Sequence, residues 1–208
     1  MFDVIVLGAT FAAAGIAKRY KEKCLVLERS AQAGREFFGA LRFLEEEASI
    51  YPYFQDCQIL FCTEVVTTEK TAEGFLCRTH GVNGYCDYYA KTVIDTRCSE
   101  EMCLSKTYNL LLHSKDTPDL DHACQVGEDR YLVRCPVPLD CGYAEARVAA
   151  QEIIRRLPAH RQLILSAYAF DYAVKEGYPK TENGILYLPA KAYDTPALAL
   201  AAGEGVKL

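Results

Sequence analysis

The stretch FDVIVLGATFAAAGIAKRYKEKCLVLE, residues 2–28, decides the fold. Two apolar runs, residues 4–7 and 24–27, flank an alanine-rich segment of helical propensity, and Gly8 ends the first run. Glu28 ends the second run, twenty residues after that glycine. A strand, tight turn, helix and second strand in this order form a parallel βαβ unit. Residues 2–28 therefore predict such a unit, with an acid at the end of its second strand.

The turn of this unit departs from the glycine-rich fingerprint of dinucleotide-binding proteins. In a Gly-x-Gly-x-x-Gly pattern that starts at Gly8, the other two glycines are replaced by Thr10 and Ala13. The second glycine lets a pyrophosphate approach the backbone, so the Cβ of Thr10 either pushes phosphates outward or its hydroxyl donates to one. Ala13 is an accepted substitute where the helix packs closely. Phe11 either occupies an adenine-side pocket or packs on the sheet.

Composition excludes several classes of partner. The 208 residues carry a net charge of -5, and the longest basic cluster is Arg155-Arg156. Nucleic acids and anionic membranes are bound by clustered Lys and Arg, so neither is expected as a partner. No apolar run reaches the length of a membrane span, and the chain opens without a charged targeting segment. These features predict a cytoplasmic protein.

Ten cysteines raise the question of a metal or disulfide site. No two of them have Cys-x-x-Cys spacing, and most lie inside apolar stretches such as ILFCTEV and GFLCRT. Cysteine in such surroundings behaves as a small hydrophobic residue. Buried reduced thiols are therefore favoured over metal ligands or disulfides, and no metal site is predicted.

The rest of the chain alternates short apolar runs with three further helical segments. The hydrophobic spacing, together with glycine and proline at the breaks, predicts the remaining elements. They are helices at about 11–21, 35–48, 143–157 and 196–203, and strands at about 57–66, 75–80, 84–90, 91–95, 110–112, 131–133, 163–170 and 184–188.

Three stretches together resemble the FAD-dependent oxidoreductases of the two-dinucleotide-binding-motif type. They are DVIVLGATFAAAGIA (3–17) with LVLER (25–29), AKTVIDTRCSE (90–100), and GILYLPAKAYDTPALALAAGEG (184–205). In the second stretch Thr96 and Arg97 stand where that family continues its Ala-Thr-Gly motif. In the third, Pro189-Ala190-Lys191 replaces a usual Gly-Asp. The order and separation of the stretches follow the family.

The resemblance implies a fold class and a division into domains. The class is α/β, with a Rossmann-like FAD/NAD(P)-binding core in a three-layer sheet arrangement and a smaller α+β inserted domain. The core is expected to combine residues 1–100 and 181–208. Residues 101–180 are expected to form the smaller, substrate or cap domain.

The resemblance also implies FAD as the cofactor and a set of candidate residues around it. Glu28 either binds the adenosine ribose or is a solvated strand-end acid. Arg97 either binds an anion or fills the groove. Lys191 either stabilises an anionic reduced flavin or, as the favoured alternative, is an exposed loop lysine. The full candidate set is Gly8, Thr10, Phe11, Ala13, Glu28, Arg29, Gly34, Arg97 and Lys191.

Three functions are compatible with the sequence. One is a FAD-binding oxidoreductase that acts on a small molecule by flavin-mediated hydride transfer. Another is a protein of flavoprotein fold with degenerate motifs, which has lost FAD and serves as a binding or interaction module. A third option is binding of only a mononucleotide or NAD at the first βαβ unit. No Gly-x-Ser-x-Gly, Walker or His-Glu-x-x-His motif occurs, so the patterns name no catalytic residue.

Overall fold

The computed structural model describes residues 1–41, 50–115, 123–155 and 164–208. The chain divides into two compact units, whereas the sequence placed the domain boundaries at residues 100 and 180 and kept 36–47 in the first domain. The first unit combines Met1–Arg35, Ala48–Cys98 and Lys175–Leu208, and the second combines Glu36–Glu47 and Ser99–Val174.

Twelve strands and three α-helices are seen in the described ranges. In chain order they are β1 (Phe2–Leu7), α1 (Phe11–Tyr20), β2 (Cys24–Leu27), β3 (Gln58–Leu60), β4 (Glu64–Thr71), β5 (Gly74–Gly81), β6 (Gly84–Asp95), β7 (Cys103–His113), β8 (Ala123–Gly127), β9 (Arg130–Val137), α2 (Tyr143–Arg155), β10 (Ile164–Val174), β11 (Lys180–Glu182), β12 (Ile185–Tyr187) and α3 (Pro196–Glu204).

The first unit is built on a mostly parallel sheet with β1 at its centre. The strand order is β11-β12-β6-β1-β2-β3, and β1 is parallel to both β2 and β6. Residues 4–7 of β1 and all of β2 are apolar, because both faces of a parallel sheet are covered by other layers. The carboxyl ends of β1, β2 and β6 consequently lie at one edge of the sheet, next to each other.

Three layers make up this unit. On one face, Ile5 and Leu7 pack with Phe75 and Cys77 of the antiparallel hairpin β4–β5. Side chains alternate along a strand, so Val4 and Val6 face the opposite way, and α1, which contacts β1 and β2, packs against α3. The layers are therefore helices, parallel sheet and antiparallel hairpin, which confirms the predicted α/β class.

Helices α1 and α3 approach each other through two glycines. A Cβ added at Gly15 would fall on the carbonyl oxygen of Leu200, and one added at Gly203 would fall on that of Ala12. Backbone atoms cannot move aside as a side-chain end can, so both positions require glycine. Gly15 thus serves the packing of α1 on α3, a role different from the helix–strand packing of the third fingerprint glycine.

Three elements predicted within residues 35–95 differ from the structure. The strand expected at 57–66 is two strands, β3 and β4, because Cys62 adopts a φ of 52° between them. The strands expected at 84–90 and 91–95 are one continuous strand, β6, in which polar Lys91 does not interrupt the pairing. Of the helix expected at 35–48, the described part contains only a short 3₁₀ turn at Phe38–Ala40, and 42–49 lie outside the described residues.

The second unit is a four-stranded antiparallel sheet in the order β10-β7-β9-β8. Helix α2 places Ala146 and Ala150 against Tyr108 and Leu110 of β7. The sequence predicted β7, β9, β10 and α2 but missed β8, which is short and partly exposed. Residues 116–122, which precede β8, lie outside the described residues.

The helices of the described ranges are short. The longest, α2, has 13 residues and carries charged side chains. Within those ranges no helix combines the length and the apolar character that crossing a membrane requires.

Candidate functional site

Gly8 forms the sharp turn where β1 ends. Its φ is +92°, and its amide donates to the carbonyl oxygen of Leu27 at 2.8 Å. A Cβ at this position would lie 2.7 Å from the Cγ of Arg97, so the aliphatic stem of that arginine rests on the turn. Glycine is required here both by the backbone conformation and by the space that Arg97 occupies.

Thr10, which stands at the second glycine of the fingerprint, caps helix α1. Its Oγ1 accepts a hydrogen bond from the amide of Ala13 at 3.1 Å, as N-cap threonines do. The same hydroxyl donates to Thr96 Oγ1 at 2.8 Å. The single hydroxyl proton of Thr10 is therefore already used within the chain, and its donation to a phosphate requires that bond to break.

Thr96 fastens the end of β6 to the end of β1. Its hydroxyl lies 2.9 Å from the carbonyl oxygen of Leu7 and 3.1 Å from that of Gly8, and its amide donates to Leu7 at 3.0 Å. The side chain is almost fully buried. Since Thr10 donates to it and it donates onward, the two threonines form a short chain of hydrogen bonds across the strand ends.

Glu28 is held against the same turn by backbone amides. Its Oε2 accepts from the amide of Ala9 at 2.7 Å, and its Oε1 accepts from the amide of Ser30 at 2.6 Å. Hydrogen bonds to an ionised carboxylate are the stronger kind, so they fix the orientation of this side chain. The acid that the βαβ pattern predicted is thus half-buried at the turn rather than free at the surface.

Asp95 and Arg97 form a two-pronged ion pair at the end of β6. Arg97 Nη2 lies 2.7 Å from Asp95 Oδ2, and Nε lies 2.9 Å from Oδ1. Burial alone lowers the pKa of the guanidinium, but the hydrogen bond and charge of Asp95, with the nearby charge of Glu28, raise it overall. The arginine is 47% exposed and brings a permanent positive charge to the turn.

Gly34 adds a second loop to the turn. Its φ is +74°, and its amide donates to the carbonyl oxygen of Ala9 at 2.8 Å. Arg29 follows Glu28 directly and is exposed. The structure therefore brings Gly8, Thr10, Glu28, Gly34 and Arg97 to one place, and leaves Arg29 at the surface.

Phe11 and Ala13 lie in the first turn of α1 and are both buried. Lys191 lies in a short turn, Ala190–Ala192, that is tied to β6 because the Ala190 amide donates to the Thr96 carbonyl oxygen at 3.1 Å. Lys191 is only 9% exposed. The favoured alternative of an exposed loop lysine was therefore wrong, because Lys191 is buried and its turn is bonded to the residue that follows β6.

A cavity of about 370 Å³ opens beside the ion pair, on the hairpin side of the parallel sheet. Its charged lining consists of Lys70, Asp95 and Arg97, and its floor includes Leu7. Burial and the charge of Asp95 raise the pKa of Tyr187, which also lines it. A cavity of this size suits a small molecule, and its two cations exceed its one anion.

Two residues of this arrangement, Asp95 and Thr96, were absent from the candidate set. Both were visible in the sequence, because an apolar strand that ends in an acid is followed directly by a threonine and an arginine. The sequence does not show that β6 pairs with β1 or in which register, and this pairing brings the two residues to the turn.

The sequence matches no protein-family model. It also matches no curated protein sequence. Sequence comparison therefore assigns no family, and the comparison with solved structures concerns the fold alone.

The fold is similar to that of several solved monooxygenases and a reductase-like protein. A geranylgeranyl bacteriochlorophyll reductase-like protein from Thermoplasma acidophilum matches 98% of this chain with a TM-score of 0.65 at 14% identity. The p-nitrophenol 4-monooxygenase of Pseudomonas putida DLL-E4 matches 90% with 0.62 at 13%. The flavin-dependent monooxygenase PieE, solved with FAD and substrate, matches 98% with 0.62 at 11%.

These matches cover unequal shares of the other proteins. The chain spans 76% of the first, 71% of the second and only 55% of PieE. At such low identity they establish the fold alone. The predicted resemblance to FAD-dependent oxidoreductases is thereby confirmed as a resemblance of fold.

Proposed function

We propose that this protein binds FAD at the strand edge around Gly8 and acts as an oxidoreductase on a small molecule. The observation that carries the proposal is Glu28, which backbone amides hold in a fixed orientation beside a glycine turn at the start of α1. That is the place where dinucleotide-binding folds hold a ribose and a pyrophosphate. When bound, FAD supplies hydride transfer through its isoalloxazine ring.

The residues of the edge fit parts of a dinucleotide. An ionised carboxylate has about four acceptor sites. Glu28 uses one on Ala9 and one on Ser30, so others remain for ribose hydroxyls. The N-terminus of α1 favours a negative group, and the exposed part of Arg97 adds a positive charge beside Gly8. The chain would thus bind the adenosine half through Glu28 and neutralise the phosphates through Arg97.

A second candidate function is supported by the internal bonds of the same residues. Thr10 places a branched side chain where the fingerprint has glycine, and its hydroxyl is bonded to Thr96. Arg97 lies on Gly8 and is paired with Asp95. With these contacts, side chains of the protein itself occupy the space beside Gly8. This is expected for a flavoprotein fold that has lost FAD and serves as a binding module.

Absorbance and thermal unfolding of the purified protein separate the two candidates. If the proposal is right, protein incubated with FAD and desalted is yellow, with bands near ~450 and ~370 nm, and FAD raises its Tm. Colourless protein whose Tm does not respond to FAD would sink the oxidoreductase proposal.

Two variants then identify the obstruction in that second case. Thr10→Gly removes the Cβ at the second fingerprint position, and Arg97→Ala uncovers Gly8. If either variant gains FAD binding that the wild type lacks, the corresponding side chain blocks the site. Thr195→Gly is the matched control for the loss of a helix cap, because Thr195 caps α3 in the same way.

The other expectations about partners remain predictions of the sequence. They are a cytoplasmic location, no nucleic acid or membrane partner, and a small-molecule substrate. The cavity beside Asp95 and Arg97 offers a small molecule with an anionic group a place to bind.

A further inference from the structure

Two cysteines occupy neighbouring positions on paired strands. Cys24 is the first residue of β2, and Cys57 immediately precedes β3. The strands are parallel, with Leu25 opposite Gln58, so Cys24 and Cys57 continue the same register by one residue. Adjacent strands lie about 4.8 Å apart. Disulfides span Cα separations of about 4.4–6.8 Å. The register therefore sets the two cysteines at a separation that a disulfide can bridge.

The two thiols influence each other's pKa. A hydrogen bond from Cys24 lowers the pKa of Cys57, although burial opposes the change. The same hydrogen bond, together with burial, raises the pKa of Cys24. Of the two thiols, Cys57 is therefore the one that loses its proton more readily. Thiolate is the form that attacks a disulfide.

The two cysteines also differ in their exposure to solvent. Cys24 is fully buried, whereas Cys57 is only half-buried. A small oxidant can therefore approach Cys57 and cannot approach Cys24 directly. The pair combines an accessible, activated thiol with a second thiol placed behind it, which is the arrangement of an attacking and a resolving cysteine.

We propose that Cys24 and Cys57 form a redox-responsive thiol pair that a low-molecular-weight disulfide, such as oxidised glutathione, converts to an intramolecular disulfide. This site is independent of FAD. It lies on the β2–β3 side of the sheet, and it carries the chemistry of thiol–disulfide exchange.

The reaction balances without a further oxidant. The Cys57 thiolate attacks one sulfur of the small disulfide, forms a mixed disulfide and releases the first small thiolate. Cys24 loses its proton, attacks the Cys57 sulfur and releases the second small thiolate. The protein loses two electrons and two protons, and the small disulfide takes them up as two thiols. Reduction by a dithiol reverses both steps.

A disulfide between Cys24 and Cys57 would link β2 covalently to the residue that precedes β3. The bridged segment includes Glu28, whose amide donates to the carbonyl oxygen of Leu60 in β3 at 2.9 Å. Closing this loop removes conformational freedom from the unfolded chain, and disulfides of such loops stabilise folded proteins. Oxidised protein should therefore unfold at a higher temperature than reduced protein.

Peptide mapping of the folded protein tests the pair directly. Full-length protein is treated with oxidised glutathione at pH 8, quenched with an alkylating reagent and digested without reduction. The expected product is a cross-linked peptide that contains Cys24 and Cys57, two hydrogens lighter than the sum of its parts, and absent after treatment with a dithiol. The Tm should rise by about 5 °C on oxidation and return on reduction.

Variants and controls make the outcome decisive. Cys57→Ser should abolish both the cross-link and the Tm rise, while Cys62→Ser, at a nearby exposed thiol, should leave both unchanged. In wild-type protein, alkylation of Cys57 should also show a midpoint below the ordinary thiol pKa of about 8.5. The proposal is overturned if Cys57 accumulates as a stable glutathione adduct without a link to Cys24. It is equally overturned if the link forms only in urea-unfolded protein.

Discussion

The hydroxyl of Thr10 donates to the hydroxyl oxygen of Thr96 across 2.8 Å, although 86 positions separate the two residues. Thr10 also caps α1, and Thr96 also contacts the carbonyl oxygens of Leu7 and Gly8. One buried pair of threonines therefore joins a helix start, the end of β1 and the end of β6. Loss of this pair should therefore lower the free energy of unfolding by more than the loss of a helix cap does.

Thr10→Val tests this joint because valine keeps the branched shape and removes the hydroxyl. The Ala13 amide loses its acceptor and Thr96 loses its donor. We expect the free energy of unfolding to fall by about 2 kcal/mol, measured by urea unfolding. The matched control is Thr195→Val, which removes only the cap of α3 and should cost about 1 kcal/mol. Equal losses in the two variants would show that the bond to Thr96 contributes nothing.

Glu28→Gln should destabilise the protein and weaken any response to FAD. An amide offers one oxygen where the carboxylate uses two, so either Ala9 or Ser30 loses its acceptor, and the charge is removed. The expected loss of unfolding free energy is about 1–2 kcal/mol, measured by urea unfolding. The exposed Glu73→Gln should change it by less than about 0.5 kcal/mol. A Glu28→Gln protein with wild-type stability would mean that water replaces these bonds without cost.

Gly203→Ala should separate α1 from α3. Alanine favours a helix by about 1 kcal/mol over glycine. Its Cβ, however, would fall on the Ala12 carbonyl oxygen, a backbone atom. We expect a net loss of about 2 kcal/mol, seen as a lower Tm. Gly205→Ala is the control, since a Cβ there would lie 3.4 Å from its nearest neighbour. A loss of similar size in both variants would contradict the assignment of the loss to the contact between residue 203 and Ala12.

The pKa of Asp87 should depend on Arg78. These residues face each other across β5 and β6, and two hydrogen bonds from Arg78 hold the Asp87 pKa below its ordinary value of 3.8. A depressed pKa stabilises the folded state above the ordinary pKa, and this contribution is lost as the pH falls through the folded value. Arg78→Ala should raise the Asp87 pKa towards 3.8 in an NMR titration.

Asp3 provides the internal reference for that titration. Its pKa is lowered chiefly by a hydrogen bond from Lys91, so Arg78→Ala should leave it unchanged. Lys91→Ala should produce the reverse pattern. A shift of both carboxyls in either variant would indicate a general change in structure and contradict the assignment of partners.

The local parts of the fold were predictable because their signals are local. Residues 2–28 encode β1, α1 and β2 through an apolar period and a glycine, and the structure has all three. The break at Cys62 was not predictable in this way, because a positive φ at a non-glycine residue leaves no pattern in the sequence. The continuity of β6 was missed because Lys91 interrupts the apolar run without interrupting the pairing.

The candidate site was predictable in position and not in detail. Gly8 and Glu28 follow from the βαβ pattern, and Arg97 from its place after β6. The contact of the Arg97 stem with Gly8 depends on the register between β1 and β6, which is set by tertiary packing. The bonds of Thr10 to Thr96 and of Glu28 to Ala9 follow from the same register and turn, so no single stretch contained them.

The glycine contact between α1 and α3 has a consequence for how the chain folds. Gly15 can meet its partner only after residue 203 has left the ribosome, and Lys18 reaches its ion pair with Glu204 at the same moment. Contacts of such long sequence separation close large loops and therefore form slowly. Until then α3 is absent, and the face of α1 that contacts α3 in the folded protein is not covered by it. During synthesis α1 therefore completes its set of neighbours only after α3 has been made.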